Sequence, residues 1–321
     1  MTHLATNYTS TDSASLGGTA GSAGLVQKAY DKMIEFALRD EPLIRAVADK
    51  RPVAKTNNGN VVVLQKYADL SLATTALTET SDLDGVTIGT PTSVTITMQE
   101  FGNATTNTRA LKLFSLTDID PDIVTLMARN QADSIDELAM TALRGGSNVI
   151  YSGSTATSTA TVTAAATIST ANIAKAVAKL RKNKASGKRG ADYWAGIHPE
   201  VAHDLMLEAG SAGWTVPNSY GVDQSRIWAG EVGRYKGAFF IESPRLYSAT
   251  DGASSAKVYR TIIAGKQALA EAVAEEPHTV IGPVTDKLNR FRPIGWYGVL
   301  GFGRFREEAL YRIESGSSIS A

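Results

Sequence analysis

The sequence predicts an α+β fold, and three observations carry that expectation. Runs of alternating or β-branched residues mark strands, as in NVVVLQKY (60–67), VTITMQEF (94–101), YWAGI (193–197) and KVYRTIIAG (257–265). One long helix with marked ends stands among them, in LTDIDPDIVTLMARNQADSIDELAMTALRGG (116–146). Strands and helices follow one another without a regular βαβ alternation or an internal repeat, so a doubly wound parallel sheet is not expected.

Taken in chain order, residues 1–24 are rich in Ser, Thr, Gly and Ala. They carry too few large apolar side chains to offset their own ordering entropy. They either fray or form an arm that orders against a neighbouring subunit. From Ala23 to Ala48 the apolar residues Leu25, Val26, Ala29, Met33, Phe36 and Ala37 recur at helical spacing. Pro42 then opens a second short helix carrying Leu43, Ile44 and Val47.

The runs 60–67 and 94–101 predict two strands, the second with Val94, Ile96 and Met98 on one face. The polar stretch Ala68–Ser93 between them is longer than most connections inside a compact domain, which suggests a projecting hairpin. A lone hairpin is barely stable in water, so a projecting one is expected to lie on something.

The long helix follows. Asp120 is placed to cap it, Pro121 suits its first position, Asp122 complements its positive end, and Gly145-Gly146 stop it after Arg144. Val124, Met127, Ala128, Ile135, Leu138, Ala139 and Ala142 form its apolar stripe. Residues 152–171 are of low complexity and read as a loop or edge hairpin. A helix is expected from Asn172 to Lys184 with Ile173, Val177 and Leu180 on one face, and another from His198-Pro199 to Glu208. Ala238–Ile241, ALAEAVAEE (268–276), FRPIGWYGVLGF (291–302) and EALYRIES (308–315) supply late apolar segments, most of them strand-like.

Composition excludes several kinds of chemistry. The chain has 321 residues, 43% of them hydrophobic, and no cysteine, so it has no thiolate metal sites, disulfides or cysteine nucleophiles. No apolar run is long enough to cross a bilayer, and the N-terminus lacks a basic start and apolar signal core. Net charge is +0, from 32 basic and 32 acidic residues, which argues against tight nucleic-acid binding over the whole surface.

Local motifs also fail as active sites. His198 and His203 are five apart, which puts them ~140° apart around a helix, whereas a zinc pair needs a spacing of four. Asp118, Asp120 and Asp122 lack the glycine and closing glutamate of a calcium loop and fit helix capping better. KLRKNKASGKRG (179–190) reads either as a phosphate-binding patch or as a solvated helix end; no aromatic residues interleave, which favours the helix end. GVLGFGRF (298–305) has the wrong glycine spacing for a dinucleotide fingerprint. In AGEVGRYKGAFFIESP (229–244), Gly237 leads into a strand rather than a helix N-terminus, so its glycines suit a turn and not a phosphate cradle. Glu275 and Glu276 are merely adjacent in sequence.

Three segments in order, GIHPEVAHDL (196–205), AGEVGRYKGAFFIESP (229–244) and GFGRFREEALYRIESGSS (301–318), resemble the N4-type major capsid proteins of tailed double-stranded-DNA bacteriophages, a family similar to the larger HK97-like group. The resemblance covers mainly Ile197 to Ser318, and the order of elements before it also fits. It implies an HK97-like phage capsid fold: an N-terminal arm (1–24), N-terminal helices (25–52), an extended β-hairpin loop (53–108), a peripheral domain (109–150) with a spine helix at 121–144, an axial domain (151–265), and return strands (266–321) completing the peripheral domain.

The function implied is structural. The chain would self-assemble as hexamers and pentamers into an icosahedral head around double-stranded DNA, within the virion, after assembly in the bacterial host cytoplasm. Its partners would be itself, scaffolding, portal and decoration proteins, and packaged DNA through weak non-specific contact, with no membrane. No cofactor, metal or catalytic residue is expected. Subunit contacts are expected at Tyr8, Tyr67, Leu72, Leu77, Leu83, Arg234 and Arg304. Two alternatives stand beside it: an encapsulin-like nanocompartment shell that holds a cargo enzyme, and a soluble enzyme with a polar pocket around His198 or His278.

Overall fold

The structure is a computed structural model that describes residues 43–52, 59–74, 76, 77, 79, 80, 82, 85–114, 120–208, 231–283, 286–288 and 290–319. The expected arm and most of the first predicted helix lie outside those residues. The second short helix is reduced to a 3-10 turn at Ile44–Val47.

In chain order the elements are β1 (Asp49–Pro52), β2 (Val61–Lys66), β3 (Thr92–Thr97), β4 (Gln99–Thr108), α1 (Arg109–Phe114), α2 (Asp120–Arg144), β5 (Val149–Tyr151), α3 (Thr170–Lys182), β6 (Tyr193–Ile197), α4 (Pro199–Leu207), β7 (Glu231–Tyr235), β8 (Ala238–Glu242), β9 (Ser248–Ala249), β10 (Val258–Ala264), β11 (Leu269–Ile281), β12 (Phe291–Arg304) and β13 (Leu310–Ser315). Among the described residues they build a four-stranded sheet, β1-β11-β12-β4, a seven-stranded sheet, β5-β13-β10-β6-β8-β7 with β9 beside β10, and the two-stranded ladder β2-β3. The mixed α+β class read from the sequence is the class found.

Each sheet has its own core. In the larger, Ile262 and Ile263 of β10, Ile313 of β13 and Phe240 of β8 are buried with Ile173, Val177 and Leu180 of α3 and Val201 and Leu205 of α4. The α3 stripe read from sequence is therefore the buried face. Its N-cap is Ser169, whose side chain accepts a hydrogen bond from the Asn172 amide, so the helix starts two residues before the predicted position.

Helix α2, ~37 Å long at about 1.5 Å per residue, serves both cores. Ala139, Met140 and Leu143 enter the larger core. Ile135 packs with Val273 and Leu300 of the four-stranded sheet. Of the predicted stripe, Ile135 and Ala139 are fully buried, Val124, Met127, Leu138 and Ala142 are half-buried, and Ala128 is exposed.

Two further readings are corrected. The predicted strand 94–101 divides at Met98: β3 pairs with β2, and β4 pairs with β12. Ile96 and Met98 both stay buried, so the alternation runs through the break unmarked. The segment 266–321 does not all return to one sheet. Strands β11 and β12 do, but β13 pairs antiparallel with β10 and parallel with β5. β13 reads LYRIES with five of six residues buried, which suits a strand covered on both faces. Residues 152–171 hold no strand; their only regular pieces are a 3-10 turn at Thr159–Thr161 and the first residues of α3.

Candidate assembly surfaces

The hairpin is fixed at its root. Ile96 and Met98 pack with Ala270 and Ala272 of β11, and Val62 and Leu64 of β2 lie against them. β3 approaches β12 so closely that a Cβ on Gly301 would stand 2.5 Å from the Thr97 carbonyl oxygen, and one on Gly303 2.7 Å from Ile96 Cγ1. Gly301 and Gly303 of GVLGFGRF therefore make room for the hairpin to cross the sheet, whereas Gly298 faces Pro277. At the far end of the ladder, Lys66 Nζ sits 2.9 Å from both Glu308 carboxylate oxygens. That hydrogen bond, together with the lysine's charge, holds the Glu308 pKa below the usual glutamate value. Lys184 meets Asp69 at 3.3 Å, with both side chains largely in water.

Past this clasp the hairpin presents apolar residues to solvent. Leu72 is 87% exposed and Leu77 73%, and Tyr67, Leu70, Val86 and Ile88 are also exposed. An apolar stretch of this extent marks a surface built to be covered. A second apolar surface closes one end of the four-stranded sheet. It joins Leu111, Leu113 and Phe114 of α1 to Ile281, Leu288 and Phe291. Pairing of Phe291 with Thr108, and the Arg109 amide donating to the Arg290 carbonyl at 2.8 Å, bring these segments together. Sequence reasoning missed this surface. Its signal was RALKLF (109–114), which carries three large apolar residues next to a strand end.

Two clefts lie between these features. One, of about 620 Å³, opens between the hairpin and the body and is lined by Arg51, Gln65, Tyr67, Asn183, Gln267 and Arg306, among others. The other, of about 510 Å³, runs between α2 and β4, with Phe101, Leu138 and Trp296 as apolar walls and Asp133 and Glu137 on the rim. Trp296 Nε1 donates to Asn130 Oδ1 at 2.9 Å, which fixes the indole against α2.

The segment leading out of the first 42 residues is tied down by buried charge. Asp136 of α2 accepts from the backbone amides of Ile44 at 2.8 Å and Arg45 at 2.9 Å. Burial raises its pKa, although those two donors favour the carboxylate. Arg45 bridges buried Glu271 at 2.6 Å and Glu276 at 3.0 Å. In the larger sheet, buried Glu314 of β13 is met by Arg260 at 3.2 Å, Arg312 at 2.8 Å and Thr159 Oγ1 at 2.6 Å.

The residues singled out in the sequence have varied places. Tyr67, Leu72 and Leu77 lie together on the exposed hairpin, whereas Tyr8 and Leu83 fall outside the described residues. Arg234 on β7 is half-exposed, 3.5 Å from Asp192. Arg304, also expected at a subunit contact, is partly exposed and its guanidinium is engaged within the chain. It donates to the Ala142 carbonyl at 2.9 Å and bridges Glu307 at 2.9 Å, satisfying the C-terminal end of α2.

The strand after Gly237 is β8, and Lys236 (φ 45°) and Gly237 (φ 85°) form a two-residue turn with both φ positive. That is the geometry a tight hairpin requires, and it answers the phosphate-loop question in favour of a turn. His198 caps α4, its ring accepting from the Glu200 amide at 3.3 Å; burial lowers its pKa. His203 stands half-exposed on the same helix, and His278 is exposed on β11. Among the described residues no group of three or more His, Asp or Glu side chains could hold a metal ion. In the basic run, Lys188 bridges Asp49 at 2.8 Å and Lys179 lies over the Tyr311 ring at 5.5 Å. No described helix is long and apolar enough to cross a membrane.

A family model described as phage capsid protein matches residues 89–313. No curated protein matches the chain by sequence. Among solved structures, the capsid of Ralstonia phage GP4 is similar with a TM-score of 0.72 at 15% identity, over 91% of this chain and 96% of that one. The head of Helicobacter pylori bacteriophage KHP40 gives 0.71 at 13% identity, covering 93% and 98%. The Cyanophage Pam1 capsid gives 0.69 at 13%, covering 94% and 98%. At such identities the structural likeness carries the fold.

Proposed function

The chain belongs to the phage capsid protein family, and from that membership we propose that it is the major capsid protein of a tailed, double-stranded-DNA bacteriophage, self-assembling as hexamers and pentamers into an icosahedral head. The family match across residues 89–313 carries the reading. The protein is a structural component of a capsid and not an enzyme, and the nanocompartment and concealed-enzyme alternatives are set aside on the same ground.

The geometry supports the details. Shells grow from heterologous contacts repeated by symmetry, so each copy needs several distinct surfaces, each of modest strength. The exposed hairpin, the apolar end of the four-stranded sheet and the two clefts supply such surfaces. We assign residues 1–24 to an arm, 53–108 to the extended loop, 109–150 with β11 and β12 to a peripheral domain, and 151–265 with β13 to an axial domain, within the N4-type group. Tyr67, Leu72 and Leu77 are contact residues in this scheme, with Tyr8, Leu83 and Arg234 as further candidates. Balanced charge suits weak, non-specific contact with packaged DNA. Scaffolding, portal and decoration proteins complete the partner set, with assembly in the host cytoplasm.

The test is size-exclusion chromatography with negative-stain microscopy on the purified chain, alone and with its scaffolding protein. Rings of five or six, tubes or closed shells are expected. A monomer that stays inert with scaffold and crowding agent would sink the proposal.

A further inference from the structure

We propose that the outward face of α3 is the surface on which the subunit meets the phosphate backbone of packaged duplex DNA, so that the side of the seven-stranded sheet covered by α3 points into the head. The inference rests on the capsid reading and names the part of the chain that makes its DNA contact.

Charge is segregated in a chain whose net charge is +0. From Leu138 to Ala191 there is no Asp or Glu, and the basic residues of that stretch gather on α3 and just after it. Helix α3 turns Ile173, Val177 and Leu180 into the core and Lys175, Arg181 and Lys182 to solvent, with Lys179 half-buried beside them. Lys175, Lys179 and Lys182 follow one another at spacings of four and three, so they form one stripe ~10 Å long at about 1.5 Å per residue. Among the described residues no carboxylate pairs with the side chains of Lys175, Lys179, Arg181 or Lys182. Cations favour the C-terminal turn of any helix, but that effect ends within the last turn, and Lys175 lies roughly two turns before Lys182.

The acids nearby are engaged within the chain. Lys179 lies over the Tyr311 ring, Tyr311 pairs with Ile263, and Tyr259 shares the Ile263 face of β10. Glu200 of α4 accepts from the Tyr259 hydroxyl, so α3 and α4 cover the same face of the sheet. Glu200 also meets Lys257 at 3.4 Å, Asp204 accepts from the Ser318 amide at 2.9 Å, and Glu208 accepts from the Thr170 amide at 2.7 Å. Past the end of α3, Asp69 is taken by Lys184 and Asp49 by Lys188. The charge left over on this helical layer is positive, and duplex phosphate is its complement. Lysines offer point charges that suit a phosphate without reading a base, and the exposed Ala171 and Ala178 leave room for a backbone to come close. Helix α3 carries no aromatic side chain on which single-stranded bases could stack. A few charges per copy give a weak contact, which gains strength only where many copies face one duplex.

The test is fluorescence anisotropy of a labelled, short duplex of random sequence, titrated with the full unassembled chain at low salt and again at rising sodium chloride. Binding by the unaltered chain is expected, with a log–log salt slope of about −3 to −4 for the four cations of α3. Lys175→Gln with Lys182→Gln should weaken it about tenfold and bring the slope about 2 closer to zero, one for each lysine, while Lys175→Arg with Lys182→Arg keeps both values. Lys50→Gln with Lys287→Gln removes the same charge from other elements and should change neither. All four positions are exposed, and unchanged melting shows that each variant folds. No binding by the unaltered chain, an unchanged slope in the first pair, or an equal loss in the control pair overturns α3 as the contact. Poly-glutamate held by these lysines more tightly than the duplex assigns the face to an acidic protein and overturns DNA as the partner. The glutamine pair should still assemble as the parent does, and loss of assembly makes the face a subunit contact instead. Failure of the capsid reading shows separately, as no assembly of the unaltered chain whatever its affinity for the duplex.

Discussion

Gly301 and Gly303 illustrate how packing alone produces a pattern that looks like a ligand-binding loop. Their missing side chains let β3 cross β12. Gly301→Ala is therefore expected to cost about 1–3 kcal/mol through overpacking against the Thr97 carbonyl, read as a lower urea midpoint. Gly89→Ala is the control, since a Cβ there meets nothing within 4 Å. Equal midpoints for the two variants would contradict the close crossing. Glu308 offers a pH test. Its pKa is depressed in the folded chain, so its contribution is present above the unfolded value of about 4.3 and is lost as pH falls through the folded pKa. Glu308→Gln should lower the melting temperature slightly at pH 7, and the difference from the parent should shrink as pH falls below that unfolded value and vanish once the folded carboxyl is protonated. A difference that persists at low pH would mean that the Lys66 pair is not its source. Single residues with a mechanical reason to be there were the most legible in the sequence: the proline and glycines bounding α2, and Gly237 in its turn. Arg304 was not, because a basic side chain closing a helix end and one facing a neighbour look alike until the chain is folded.

At the scale of elements, the hairpin carries the clearest expectation. Deleting most of Ala68–Ser93 and closing β2 to β3 with a short turn should leave circular dichroism and melting close to the parent, because the three buried clusters lie elsewhere. Assembly should fail. Loss of the folded signal would show that the loop belongs to the core. Strand positions were largely readable from alternation, but strand partners were not. The run 94–101 changes sheets at Met98 without a break in pattern, since Ile96 and Met98 both face inward before and after the change. β13 was assigned to the wrong sheet for the same reason: an apolar strand does not declare its neighbour, and β10 and β5 lie far away in sequence. The apolar surface on α1 and the β11–β12 end had only the local signal of RALKLF, because the segments that share it meet there only after folding.

For the whole molecule, two sheets share one helix, and the chain leaves each sheet to complete the other. Removing residues 1–24 should therefore spare the subunit and impair the shell. Unchanged melting with particles reduced or malformed under the microscope is the expected result, and normal shells would refute the arm's role. The candidate surfaces were legible only as regions. The sequence carried the long polar insertion, but which side chains face water depends on the packing around them, and the clefts exist only between elements distant in the chain.

Two of the hairpin's supports matter most, since the Lys184–Asp69 pair beyond them lies largely in water. One is the root, where Ile96 is packed under the glycines of β12; the other is the clasp of Lys66 on Glu308, ~14 Å along the ladder at about 3.4 Å per residue. A beam on two supports with a free overhang bends only beyond the second support. With the clasp closed, everything up to Lys66 keeps one direction, and only the part that meets a neighbour adjusts. With the clasp open, the beam has a single support, and its whole length swings. A lysine and a glutamate thus set where the free lever arm of the hairpin begins.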